Sequence, residues 1–135
     1  MIEYNQRDIA RVVCRLQDNF AEIPETIKHT LVHYTDGAGI DLFGRWLDAL
    51  ADVGTRAMIA ARLLRLELWL FADNKVLGDG VSELRIDHGP GWRVYYGRQA
   101  GRVVLLLAGS DKARQKASIK TARKRLEDWN QRSTQ

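Results

Sequence analysis

Two arginines eight positions apart, Arg85 and Arg93, flank the stretch His88-Gly89-Pro90-Gly91, and Lys112 follows the next apolar run. A guanidinium offers N–H donors in a rigid fork that fits a phosphate bidentately, and an ammonium adds a compact charge. Three such groups on one surface would suit a phosphodiester, so the question is whether the chain brings them together. The flanking residues alternate, with Leu84 and Ile86 around Arg85, and Val94 and Tyr96 following Arg93. The glycines between them permit the positive φ angles of a tight turn. Directly paired residues of an antiparallel hairpin share a face, so Leu84 and Ile86 must join Val94 and Tyr96 on the buried side. Pairing Ile86 with Val94 and Leu84 with Tyr96, around a loop centred on Gly89-Pro90-Gly91, meets that condition. The opposite face then carries Glu83, Arg85, Asp87, Arg93 and Tyr95. Arg93 falls across from Asp87 and Arg85 across from Tyr95, with the arginines one diagonal step apart, about 7–8 Å. Such a face either grips a phosphate, with Tyr95 stacking or hydrogen bonding, or is a solvent-facing strand surface with an ordinary Asp–Arg pair. The pattern alone leaves both open.

The segment after the third strand adds further cations. On a helical wheel Lys112, Lys116, Lys120, Arg123 and Lys124 share a sector beside the apolar stripe Ile119, Ala122, Leu126 and Trp129. Packed on the sheet, that sector borders it and forms a continuous cationic groove if the arginine face is the near one. Lys112 stands at the first turn, where free backbone N–H groups favour an anion and where a cation is unfavourable to the helix itself. The plainer alternative is a solvated face.

The elements that must position these groups follow from periodicity. Residues 5–23 place Ile9, Val12, Val13, Leu16, Phe20 and Ile23 at helical spacing. Ile27 to Tyr34 leans to strand and stops at Asp36-Gly37. Asp41 caps a helix whose stripe is Leu42, Phe43, Trp46, Leu47 and Leu50, and a break at residues 52–55 leads to a second helix with Met58, Ile59, Leu63, Leu66 and Leu70. Residues 72–75 and then 78–80 read as turns. Strands are expected over 81–88, 92–97 and 102–108, the last almost wholly apolar and so buried on both faces. Gly109 ends it, Ser110 or Asp111 caps, and a last helix runs to about Trp129. The order is α-β-α-α-β-β-β-α, an α+β domain with a small, mainly antiparallel sheet.

Composition sets the outer bounds. At 135 residues, with 45% hydrophobic and 28% charged residues, the chain has the balance of one globular domain. The formal charge is +4, yet residues 111–135 hold eight Lys or Arg against three Asp or Glu, a net +5, leaving about −1 for residues 1–110. That asymmetry points to a polyanion or an acidic partner. The single cysteine, Cys14, excludes an internal disulfide and favours a reducing compartment. The N-terminus lacks the apolar core of a signal peptide, and the stretch Met58–Phe71 is broken by charges, so a cytoplasmic location without membrane contact is expected. His29 and His33, four apart on a strand-like segment with no third ligand, do not make a metal site. Gly78-Asp79-Gly80 lacks the strand-then-helix context of a nucleotide loop. Trp46, Trp69 and Trp129 read as core or partner-groove residues.

Several stretches occur together in a recognisable order: His33-Tyr34-Thr35-Asp36-Gly37, Phe43-Gly44-Arg45-Trp46-Leu47 and Ile59-Ala60-Ala61-Arg62-Leu63. They continue through Gly78 to Arg85, Gly89 to Tyr96, and Leu105 to Lys112 with Gln115 and Ile119. In this set the chain resembles the HigB-like addiction-module killer proteins of the RelE/ParE toxin superfamily, over about residues 28–130. The resemblance implies a β-α-α-β-β-β-α toxin domain at 27–135, with residues 1–26 as an N-terminal helical extension. It implies a cognate antitoxin, a small helix-turn-helix protein, as partner. It also implies a ribosome-dependent mRNA endonuclease that needs neither metal nor cofactor, with ribosome and mRNA as targets. Carried over, Arg85 and Arg93 stabilise the phosphate, and Lys112 holds the scissile phosphate or assists proton transfer. Tyr95, Lys116, Lys120, Arg123 and Lys124 line the RNA, and His88 is a candidate acid or base, since an imidazole titrates in the right range. The chain departs from the family pattern at Trp92, Ala108, Ser110 and Ala117, and has no counterpart of the C-terminal tyrosine that some relatives use. Those departures weigh on proton transfer more than on phosphate binding. They keep two alternatives in view: a non-catalytic inhibitor of a protein such as DNA gyrase, and a decayed toxin that only binds its antitoxin.

Overall fold

The computed structural model describes residues 28–68 and 74–134. The expected helix over 5–23, Cys14, Trp69 and the boundary near residue 26 lie outside the described residues. Within them the order is β1 (Thr30–His33), α1 (Leu42–Asp48), α2 (Val53–Glu67), β2 (Asn74–Gly78), β3 (Val81–Ile86), β4 (Trp92–Gln99), β5 (Val103–Asp111), a 3-10 turn (Lys112–Arg114) and α3 (Gln115–Ser133). One five-stranded sheet has the strand order β1-β5-β4-β3-β2. Only β1 runs parallel to its neighbour, β5; the other pairs are antiparallel. The expected α+β class with a mainly antiparallel sheet holds.

Local chemistry explains the helix starts. The Asp41 side chain accepts from Gly44 N–H at 2.8 Å, and Asp52 accepts from Thr55 N–H at 3.1 Å and from its hydroxyl at 2.7 Å. Each carboxylate satisfies donors that the first helical turn leaves open. Asp111, not Ser110, caps the last helical segment by accepting from Arg114 N–H at 3.0 Å. The third expected strand is correspondingly longer, reaching Asp111 and not stopping at Gly109.

The sheet is covered on both sides. On one face Phe43 of α1 and Ile59, Leu63 and Leu66 of α2 pack on Leu84, Ile86, Val94, Tyr96, Val104 and Leu106. On the other, Ala122 and Leu126 of α3 pack on Val81, Tyr95, Leu105, Leu107 and Ala108, with Tyr34 beside them. β5 is buried on both faces, as its apolar run requires. A bulge between Tyr95 and Tyr96 leaves Leu107 out of the β4–β5 register, so Leu107 and Ala108 face the same side. Past it Gly109 meets Trp46, whose ring would stand 2.3 Å from any Cβ at that position. Glycine is therefore what lets α1 close on the sheet.

Two expectations need correction. Residues 74–78, read largely as turn, form edge strand β2, paired with β3 through Asn74–Leu84, Lys75–Glu83 and Val76–Ser82. It is short and polar, with Lys75 and Val76 exposed, so it lacks the alternating buried residues that mark an inner strand. The β3–β4 register is also displaced by two residues: Leu84 pairs with Val94, Arg85 with Arg93, and Ile86 with Trp92. The faces are those expected, because a slip of two preserves side-chain direction. The turn sets the true register, with His88 N–H donating to Ile86 O and Gly91 N–H to His88 O, both at 3.0 Å.

Candidate functional site

β3 and β4 place Arg85 and Arg93 directly opposite each other, not one diagonal step apart. They lie on the α3 face, together with Glu83 and Tyr95, so the arginine face is the one nearest the basic helix. The face is not open to solvent. Glu83 and Tyr95 are fully buried and Arg93 is 7% exposed, whereas the Arg85 side chain is 45% exposed.

Glu83 organises the group. Its Oε1 accepts from Arg85 Nε at 2.8 Å and stands 4.0 Å from Arg93 Nε. Its Oε2 accepts from Gln115 Nε2 at 2.8 Å, tying the first residue of α3 to the sheet. The hydrogen bond that Arg85 donates to Glu83, and then the charge of that carboxylate, raise the Arg85 pKa above its ordinary value. Arg93 also donates from Nη1 to Trp92 O at 3.0 Å. Lys112 enters from the end of β5, where Trp92 pairs with Asp111 and Arg93 with Ser110. Arg93 and Lys112 approach each other over Gly91 (φ 79°): a Cβ there would stand 3.5 Å from Lys112 Cβ and 3.7 Å from Arg93 Nη1. Both distances are ordinary contacts, so the positive φ and not crowding is what favours glycine at this turn.

The remaining sequence-derived candidates separate. Lys112, Lys116, Lys120 and Lys124 are exposed along the 3-10 turn and α3. Arg123 is committed to the β2–β3 hairpin, donating from Nη2 to Leu77 O at 2.9 Å with Nε 3.4 Å from Asp79. Tyr95 has no ring face to offer a base. Burial pushes its phenol above the usual range, and the expectation of stacking on it is corrected on that ground. His88 sits exposed on the β3–β4 turn, and its charge reaches Asp52. That carboxyl is held below the ordinary range first by the Thr55 hydroxyl, with His88 as a minor influence.

Sequence reasoning gave no role to Glu83, Gln115 or Lys75. Alternation puts Glu83 on the right face without assigning it a contact, and Gln115 enters only through the resemblance. Lys75 pairs with Glu83 across the β2–β3 ladder and so shares its face, which extends the cationic surface to the sheet edge. Finding it required recognising β2 as a strand.

The two histidines considered for metal binding are differently employed. His33 Nδ1 lies 2.8 Å from Asp41 Oδ2, with its ring edge-on to Phe43. His29 is buried at the start of β1, and its pKa is lowered to about 4, first by burial and then by Arg98 and Arg102. Among the described residues no group of three or more His, Cys, Asp or Glu is placed to hold a metal ion. Nor is any described helix long and apolar enough to cross a membrane. At the other end of α3, Tyr34 donates to Asp128 at 2.5 Å, and Arg132 bonds both Asp128 and the Thr35 carbonyl. These contacts anchor the helix to the loop after β1.

Residues 45–128 match the family model described as Phage derived protein Gp49-like (DUF891). A protein of Haemophilus influenzae described as uncharacterized is 46% identical over 81 residues, which cover 60% of this chain and 82% of the relative. The match spans α1 to α3 and so includes the arginine pair, Glu83, Lys112 and Gln115. With this fold and this match, the chain belongs to the Gp49-like phage-derived protein family, a RelE/ParE-like family of toxins whose toxin–antitoxin modules supply an antitoxin partner.

Proposed function

We propose that the chain is a HigB-like toxin that cleaves mRNA on the ribosome, using Arg85, Arg93 and Lys112 to bind and stabilise the scissile phosphate. One observation carries the reading: two arginines stand directly opposite on adjacent strands, and Lys112 follows the end of β5, where that strand pairs with Arg93 and Trp92 of β4. Like charges facing each other in a ladder are destabilising; the single charge of Glu83 offsets only part of that repulsion, so the pair keeps a net positive charge that suits a phosphate. In the proposed reaction the RNA 2′-oxygen bonds to the adjacent phosphorus as the bond from phosphorus to the 5′-oxygen breaks. The 2′-hydroxyl gives up its proton and the leaving 5′-oxygen gains one, with Lys112 and His88 as the chain's candidates for those transfers. Guanidiniums preplaced around the phosphorane-like transition state supply the electrostatic part of the acceleration without a metal. Lys116, Lys120 and Lys124 hold the flanking backbone. Residues 27–135 form the toxin domain and 1–26 an extension to it, in a cytoplasmic protein restrained by a small helix-turn-helix antitoxin.

Brief induction of the chain, followed by mapping of ribosome-associated mRNA ends, tests this. Breaks at ribosome-occupied sites are expected, and Arg93→Ala should lower their formation about 100-fold. Growth arrest unchanged by Arg93→Ala would remove the site assignment.

One observation favours a second reading. Tyr95 is buried, leaving the arginine pair with cations but few groups able to move protons. A toxin that blocks a protein target such as DNA gyrase, without cutting RNA, needs no proton transfer. Supercoiling assays in the presence of the chain separate the two, because the nuclease reading expects no loss of supercoiling. A third outcome, no growth phenotype at all, corresponds to a toxin reduced to antitoxin binding.

A further inference from the structure

The Glu83 carboxylate is buried completely and both of its oxygens are engaged. A buried charge is costly unless it is paired and hydrogen bonded, and here the partners are the two arginines and Gln115. Glu83 lies two residues before Arg85 on β3 and diagonally across from Arg93, so one negative charge stands behind a facing pair of positive ones. The contact with Arg85 uses Nε, which leaves the two terminal nitrogens of that guanidinium outside it. Gln115 extends the same connection to the start of α3, immediately after the turn that carries Lys112.

The geometry points to Glu83 as a positioning residue: it fixes Arg85 and Arg93 side by side and, through Gln115, sets Lys112 against them. The inference rests on the phosphate-binding reading above. Glu83 does not touch the RNA; it acts through the cations. Its effect should therefore fall on the geometry of the transition state and not on attraction of the strand. Removing its negative charge makes the surface more cationic, so RNA affinity should hold or rise while cleavage falls. A residue needed only for folding would lower both together.

The test uses Glu83→Gln, which keeps the shape and removes the charge, in the full chain. Affinity is measured with an RNA oligonucleotide blocked by a 2′-O-methyl group at the cleavage position, and single-turnover cleavage on programmed ribosomes. Binding within about 3-fold of the parent, or tighter, with cleavage down about 10- to 100-fold, is expected for a displacement on the order of an ångström. Gln115→Met leaves the Glu83–Arg85 contact intact and provides the answer should Glu83→Gln not fold; it should lower cleavage about 10-fold at unchanged affinity. Cleavage at the parent rate in both variants, or equal losses of binding and cleavage, overturns the proposal. In the free protein the Nε–H proton of Arg85, donated to Glu83 at 2.8 Å, should exchange slowly by NMR, and faster in Glu83→Gln. Rapid exchange in the parent also overturns it, whatever the ligand is. A parent chain that binds no RNA yet shows the protected Arg85 Nε–H proton overturns the functional reading and leaves the positioning role standing.

Discussion

Arg125 donates from Nη1 to the carbonyl oxygen of Leu107 at 2.7 Å, and Leu107 is the residue that the β5 bulge removes from register with β4. A bulge leaves backbone groups without ladder partners, and here the last helix supplies one. The guanidinium also stands 5.6 Å from the centre of the Tyr34 ring, and burial lowers its pKa. Arg125→Met keeps most of the apolar stem but strands the carbonyl. It should cost about 1–3 kcal/mol, read as a lower urea midpoint at unchanged m-value. An unchanged midpoint would mean that water replaces the guanidinium at no cost.

Stability should fall on mild acidification because of His29. Its pKa is depressed to about 4 in the folded chain from 6.5. Between those values the unfolded chain takes up a proton that the folded chain refuses, so the contribution is complete above pH 6.5 and is lost as pH falls toward 4. The linkage amounts to about 2 kcal/mol between pH 7 and pH 5. Denaturation of the parent and of His29→Gln across that interval measures it. The parent curve should be the steeper one, and parallel curves would contradict the assignment.

RNA affinity should depend on salt in proportion to the phosphates neutralised. Replacing the exposed Lys116 with Ala should reduce the slope of log K against log salt by about 0.7, the increment for one single-strand phosphate contact. Arg123→Ala should leave that slope unaltered and weaken the β2–β3 hairpin instead, since Arg123 is engaged by Leu77 and Asp79. Titrations at three salt concentrations decide between these outcomes.

The stripes of α1, α2 and α3 were legible because helices on a two-sided sheet need an apolar face, and Phe43, Ile59, Leu63 and Leu126 supply it at helical spacing. The shared face of Arg85 and Arg93 was legible for a similar reason: alternation fixes side-chain direction. Their direct opposition was not, since a register slip of two costs the pattern nothing and the five-residue turn from Asp87 to Gly91 admits either choice. β2 was hidden by polar residues that suit an edge. Glu83 was hidden by its own charge, as nothing local announces that an arginine pair and a helix from 32 positions later will close over it. The continuous apolar run of β5 likewise concealed the phase change at Leu107.

The parallel pairing of β1 with β5 has a consequence for how the chain is made. β2 to β5 form a meander of neighbours, whereas Thr30 must find Val103. During synthesis β1 emerges early and waits for the last strand of the sheet, with the loop-closure cost that long separation imposes. Lys112 and α3 come later still. The nascent chain therefore exposes β1 unpaired until Val103–Asp111 has been made, and the arginine pair receives its third cation and its helical cover only after that strand.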